Sequence, residues 1–329
     1  MTKIITIALS LSLCSLCCQS QDLSKRTIKD ASYKVAELVK ANYVLKDKGN
    51  DIAASFIKDF EKGRFNFAAS WKQLDSVMTK SLREVSNDGH LYVWHNLEIV
   101  KELKGQTEEK KEETSEETTS FFNNKKAYDS NFGFQQLEIL EGNVGYMKLS
   151  QINISAESLK TLYAAMEFIK NTHALIIDLR NNGGGGSTVG AVFETFFLEK
   201  ETELLEFKNR TGSVEMNKTV GWLLGKKYTK PLYILTNSGT ASAAEAFTFA
   251  LQNLGRATVV GTPSAGAAFM NQYYLVNDQL IVSVSSDAPF LPGTQISWQG
   301  TGIQPNVAAN DDEAREKALQ HIKGRLGKE

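Results

Sequence analysis

Cysteine is nearly absent from the body of this 329-residue chain. Its three cysteines, Cys14, Cys17 and Cys18, all lie before residue 20. That excludes a CxxC…CxxC zinc site, a disulfide framework and a cysteine nucleophile in the body. Charge of one sign is lacking too. Lys and Arg number 37 against 38 Asp and Glu, so the formal net charge is -1 and nothing suggests a nucleic-acid partner. No HExxH occurs, which disfavours a zinc metalloprotease, and no GxSxG elbow occurs. GxGxxG and Gly-Lys-Ser/Thr fail in every register, so no nucleotide cradle is drawn and no cofactor is implied. Lysine is missing altogether between Lys230 and Lys317. The one Ser-x-x-Lys, Ser55 to Lys58, sits on an amphipathic helix with no Lys-Thr-Gly partner. Only His90, His95, His173 and His321 are available where an imidazole is needed.

What is present has a globular balance, 42% hydrophobic and 23% charged. A core is easily built at this size, and a polytopic membrane protein is excluded. Lys3 and the short apolar run Ile4 to Leu16 have the pattern of an export signal, too short for a comfortable membrane span. Cleavage after Ser20 gives a soluble exported protein, periplasmic or extracellular. Lipidation of Cys14, Cys17 or Cys18 instead gives an envelope lipoprotein.

Residues 21–88 read as a helical domain of three helices, with Ile28, Ala31, Val35 and Leu38, then Trp71, Leu74, Met78, Leu82 and Val85, at helical spacing. Residues 89–130 read as a strand, His90 to Val100, followed by a mobile charged loop. That loop, 104–120, holds no apolar residue to offset ordering entropy, and a solvated helix is the plainer alternative. Residues 131–311 carry an α/β pattern. Ala174 to Leu179 is a continuous apolar run, as expected of a strand covered on both faces. Strand, helix and strand then recur at 232–235, 241–254 and 257–260, which implies parallel pairing. A charged surface helix, 312–329, closes the chain.

Two strand-to-helix loops carry the chemistry. Gly183 to Gly186 offers free backbone N–H groups near a helix N-terminus, suited to a developing oxyanion; the plainer reading is a tight turn, at a high entropic cost for four glycines. The second loop, Thr236 to Glu245, puts Ser242 at a helix start, either as a nucleophile beside the Ala243 N–H or as an N-cap. No lysine lies near enough downstream to serve as its base. His90, in Asn87-Asp88-Gly89-His90, is the best placed of the histidines.

With these residues in hand, the chain resembles the tail-specific (C-terminal processing) serine peptidases. It is most similar to the branch of the tricorn core and the interphotoreceptor retinoid-binding protein repeats. NDGHLYV (87–93), ALIIDLRNNGGGG (174–186), ILTNSGTASAAEAF (234–247) and WQGTGIQPNV (298–307) carry the likeness. The resemblance implies a crotonase-like ββα core preceded by a small helical bundle. It also implies Ser242 as nucleophile, His90 as base, and oxyanion donors at Ala243 and Gly184. Ala267 stands where a lysine-dependent branch carries its lysine. Gln299 stands where the tricorn-like branch carries a glutamate that orients the histidine. A glutamine accepts an imidazole N–H but cannot stabilise imidazolium by charge; in the Ser-His-Asp template, Asp to Asn costs about 10⁴ in turnover. Slowed catalysis is therefore expected unless Asp88, Asp278 or Asp287 substitutes. No segment resembles a PDZ domain. The expected activity is a serine endopeptidase acting on short or unfolded polypeptides, without metal or cofactor. A weakly active or inactive relative that binds hydrophobic ligands or peptides is the alternative. The oligomeric state is not legible.

Overall fold

Alternation along buried strands organises this molecule. In the computed structural model, which describes residues 23–108, 119–223 and 225–327, Leu175 and Ile177 face one apolar layer while Ala174 and Ile176 face another. A strand buried on both sides needs such a continuous apolar run.

The elements run in chain order as α1 (Lys25–Asn42), α2 (Lys46–Glu61), α3 (Trp71–Ser86), β1 (Tyr92–Trp94), α4 (Leu97–Glu108), α5 (Thr119–Asn123), α6 (Lys125–Asp129), β2 (Phe134–Leu140), β3 (Val144–Leu149), β4 (Ile152–Ile154), α7 (Leu159–Ile169), β5 (Ala174–Asp178) and β6 (Gly185–Ser187). Then follow α8 (Val192–Thr195), β7 (Glu203–Asn209), β8 (Val214–Lys218), β9 (Leu232–Thr236), α9 (Ala243–Asn253), β10 (Ala257–Gly261), β11 (Met270–Leu275), β12 (Ile281–Phe290), β13 (Val307–Ala308) and α10 (Ala314–Leu326).

A six-stranded sheet has the order β13-β10-β9-β5-β3-β2. Its first five strands are mutually parallel, as the strand-helix-strand rhythm predicts, and β2 joins β3 as an antiparallel hairpin. Helices α7 and α9 cover one face through Leu162, Ile169, Phe247 and Leu251. The other face is covered by α10, whose Ala314, Ala318 and Ile322 are buried against Ile176, Tyr233 and Leu235. The C-terminal helix is therefore a packing element with a charged outer side. It is not the purely surface helix that its composition suggested.

A second sheet is antiparallel, in the order β1-β12-β7-β8 with β11 also on β12. The three predicted N-terminal helices form with near-correct limits. Ser24 and Ser70 cap α1 and α3 by accepting from Thr27 N–H at 3.0 Å and Gln73 N–H at 3.2 Å. Their apolar stripes share one core with Leu280, Val282 and Val284 of β12. So the helical segment closes over strands contributed nearly 200 residues later.

Two local expectations are corrected. The strand expected over 90–100 is only β1, because Asn96 Oδ1 accepts from the N–H groups of Glu98 and Ile99 and starts α4. That helix continues through 104–108, the first residues of the expected charged loop. Residues 109–118 of that loop, and the expected export signal at 1–20, lie outside the described residues. Among the described residues no helix is long and apolar enough to cross a membrane.

If α10 is part of the core, Ile322→Ala should cost about 2–5 kcal/mol, as in other buried Ile-to-Ala changes. Denaturant unfolding measures this; a change within about 0.5 kcal/mol, typical of a surface position, would contradict the docking.

Candidate active site

Because β5 and β9 are parallel neighbours, with Asp178 opposite Leu235, the loops that follow them emerge side by side. Short polar side chains stitch the loops together. Asn237 Oδ1 accepts from Asn181 N–H at 2.9 Å, and its Nδ2 donates to Asn181 Oδ1 at 3.1 Å and Asp311 Oδ2 at 2.7 Å. The Thr240 hydroxyl donates to Leu179 O at 2.7 Å, and Ala241 N–H donates to Asn182 O at 2.9 Å. At the root of the first loop, Asp178 is fully buried and ion-paired to Arg180 at 2.5 Å, with the Tyr146 hydroxyl donating at 2.6 Å. Burial opposes its charge, but Arg180 and then Tyr146 outweigh that and hold its carboxyl below the ordinary range.

Ser242 ends the second loop in an uncommon backbone state, φ 54° and ψ −122°. For a non-glycine residue such a conformation costs about 1–3 kcal/mol and persists only where surroundings impose it. Glu245, one turn into α9 and fully buried, is the constraint. Its Oε2 accepts from Ser242 N–H and Ala267 N–H, each at 2.9 Å. Its Oε1 accepts from Gly266 N–H at 2.7 Å and from the Ser264 hydroxyl at 2.5 Å. Four donors on one carboxylate satisfy a charge that would otherwise be expensive to bury.

Gly184 packs directly on this turn. A Cβ there would lie 2.7 Å from Ser242 Cβ and 2.9 Å from Ala241 O, and its φ is +101°, so only glycine fits. Its own N–H donates to Asn182 Oδ1 at 3.0 Å. The glycine brings the first loop against Ser242, but the expected free donor is already engaged. Ala243 N–H, at the positive start of α9, has no acceptor among the described residues. The glycine run is thus partly a strand: β6 pairs with β4 instead of forming an open cradle.

His90 reaches the same neighbourhood from the second sheet. Asn87 ends α3 in the left-handed conformation, φ 49°, and Asp88 Oδ1 then accepts from His90 N–H at 2.9 Å. Asp88 is buried and also accepts, through Oδ2, from Tyr43 hydroxyl at 3.0 Å and Ser285 hydroxyl at 2.7 Å. The Ser283 hydroxyl donates to His90 O at 2.6 Å, so β12 fixes this turn from beneath. Burial is the largest influence on the imidazole and lowers its pKa below the ordinary 6.5. The charges of Asp88 and Glu245 oppose the shift, and Arg83 reinforces it. His90 therefore feels the carboxylate that holds Ser242.

Gln299 does not bond to His90. Its Oε1 accepts from Ala268 N–H at 2.8 Å and Phe269 N–H at 3.2 Å, while His90 Nδ1 is buried without a hydrogen-bond partner. A glutamine keeps an acceptor for two backbone donors, a task that needs no charge. Of the three aspartates considered, only Asp88 adjoins His90. Asp278 is exposed and pairs with Lys104, and Asp287 accepts from Ser286. Two of the other histidines are engaged elsewhere: His95 Nδ1 contacts Gln279 O at 2.8 Å, and His321 Nδ1 contacts the Tyr233 hydroxyl at 2.9 Å. No group of three or more potential metal ligands gathers among the described residues. Sequence reasoning passed over Glu245, Asn182, Asn237 and Thr240 as site-builders. The Asn-Asn and Asn-Ser-Gly-Thr strings carried a turn signal, but nothing local says which backbone groups they meet.

Two substitutions test this construction by thermal unfolding. Glu245→Gln turns an amide N–H₂ toward backbone donors and should cost about 1–3 kcal/mol for each group left unpaired. Gly184→Ala should also lower the melting temperature, since the neighbour it would strike is the Ser242 turn. An unchanged melting temperature in either variant would contradict the close packing described.

Comparison with known proteins agrees with this architecture. The model described as peptidase family S41 matches residues 143–309. The model described as the N-terminal domain of peptidase S41 in eukaryotic IRBP matches residues 24–131. A carboxyl-terminal-processing protease of Picosynechococcus sp. is 34% identical over 137 residues, 41% of this chain and 32% of the relative. The chain thus spans about a third of the length of the curated relatives it matches. Among solved structures, a lipoprotein from Streptococcus agalactiae superposes with a TM-score of 0.57 at 15% identity, over 90% of this chain and 96% of that one. The tricorn protease superposes at 0.53 and 13% identity, over 92% of this chain and 37% of that one. These names do not favour the ligand-carrier alternative. On the span of residues matched, this chain belongs to peptidase family S41.

Proposed function

We propose that this protein is an exported serine endopeptidase that cleaves short or unfolded polypeptides. Ser242 Oγ attacks the peptide carbonyl carbon and His90 takes its proton. The negative oxygen that forms is met by the Ala243 N–H at the start of α9. Collapse of this intermediate breaks the C–N bond, and His90 returns the proton to the departing amine. Water, deprotonated by His90, then releases the acyl group and restores the Ser242 hydroxyl. Gln299 acts at one remove. By holding Ala268 and Phe269 it sets the segment whose Phe269 ring stands 6.3 Å from Tyr43, the donor to Asp88.

The observation that carries this reading is the strained, glutamate-anchored Ser242 beside an unengaged helix-terminal N–H, within electrostatic reach of a histidine kept neutral. The charge of Asp88 stands near His90 where a third member would act, without a hydrogen bond to the ring. The reading includes export by residues 1–20, either with cleavage after Ser20 or instead with lipidation of Cys14, Cys17 or Cys18 and attachment to the envelope.

A fluorophosphonate probe should label the wild type and not Ser242→Ala or His90→Ala; equal labelling of all three overturns the assignment. Hydrolysis of an unfolded substrate such as casein should rise with pH along an acid limb centred below 6.5, since burial lowers the His90 pKa. The sign for stability follows from the same shift. The contribution of neutral His90 is fully present above about 6.5 and is lost as pH falls toward the lower folded value. An acid limb above 6.5 would contradict a buried base.

A further inference from the structure

Beside the Ser242 turn lies a cavity of about 170 Å³ that the mechanism above does not use. At about 30 Å³ per water it has room for some five or six waters, the space of one extended side chain. Gly186 of β6 and Ala243, the residue after the nucleophile, are among its lining residues. Ile152 and Ile154 of β4, Leu204 and Leu205 of β7, and Phe247 of α9 form apolar walls. Phe247 is itself braced by Phe193, stacked at 4.5 Å.

One group is out of keeping with such walls. Glu194 of α8 lines the cavity, and among the described residues it makes no ion pair and no hydrogen bond beyond its own backbone. None of the residues that β4, β6, β7, β8 and α9 turn toward the cavity is titratable. Lys208, the nearest cation along β7, is paired with Glu206 at 2.5 Å. Glu194 is half-buried, and desolvation pushes its carboxyl up to about 7 against the weaker opposing pull of a backbone hydrogen bond. An acid in such a place lacks a counter-charge within the protein, and a ligand that supplies one gains the interaction that the fold leaves open.

We propose that this cavity receives the side chain of the residue whose carbonyl Ser242 attacks, and that Glu194 selects a lysine there. The four methylenes of lysine lie along the isoleucine, leucine and phenylalanine walls, and the ammonium meets the carboxyl. Glu194 is thus a specificity-determining residue for the peptidase reading on which this inference rests.

The test compares two peptidyl coumarylamides that differ only at the cleaved residue, lysine in one and its uncharged isostere norleucine in the other. Wild type should prefer lysine in kcat/KM by about tenfold or more, the scale of a lost charge partner in an enclosed site. Glu194→Gln, nearly isosteric, should reverse the order through KM. The wild-type comparison decides by itself should the variant not fold. Cleavage with norleucine equal to or above lysine, still abolished in Ser242→Ala, overturns the pocket assignment and leaves the peptidase standing. Fluorophosphonate labelling of Ser242 with neither substrate cleaved also overturns the pocket assignment. Neither cleavage nor labelling overturns the peptidase reading and this inference together.

Discussion

The Glu245 carboxylate is the interaction on which the site depends. It is fully buried and gathers four donors from three stretches of chain: Ser242, Ser264 and the consecutive residues Gly266 and Ala267. Removing it would leave those donors without their acceptor. It also offsets the backbone strain at Ser242, because the strained peptide is the one whose N–H it accepts. Its charge extends to His90, on a different sheet. One side chain therefore ties conformation, loop placement and protonation together.

Around that anchor the scaffold does a simpler task. Parallel pairing of β5 with β9 delivers two loops to the same edge, and their side chains bond across the gap before any ligand arrives. The antiparallel sheet delivers His90, with Ser283 and Ser285 of β12 holding the turn through its carbonyl and through Asp88. The N-terminal helices pack on that same strand. Their stability therefore bears on the position of the imidazole, near which α3 also brings the charge of Arg83.

Burial works in opposite directions on the two titratable groups that matter most. It lowers the pKa of His90 and so favours the neutral ring, the form that the proposed base would use. It raises that of Glu194, which makes the acid a poor anion until a cation approaches. Asp88 and Asp178, by contrast, are buried among donors. An acid supplied with partners inside the protein serves the structure, and one left without them faces whatever enters the cavity.

Much of the frame was legible from the residues. The apolar run Ala174 to Leu179 and its short links foretold a doubly covered parallel sheet, because burial on two faces leaves no room for polar alternation. The helical stripes of α1 and α3 were visible for the same reason, and Ser242 and Gly184 were identified through their family likeness. What stayed hidden was the choice among equivalent partners. Gln299 was expected on His90, yet two backbone donors at Ala268 and Phe269 hold its oxygen. The Gly184 N–H was expected to be free, yet Asn182 folds back onto it. Helix α10 was read as a surface helix, yet its alanines and Ile322 seal a sheet face. The sequence by itself determined which segments must be buried and which loops bear small and hydroxyl residues, since these follow from local period and composition. Which donor meets which acceptor was settled in the folded chain, because such pairings follow proximity in space, in several cases between residues tens to nearly two hundred positions apart, and that has no local signature.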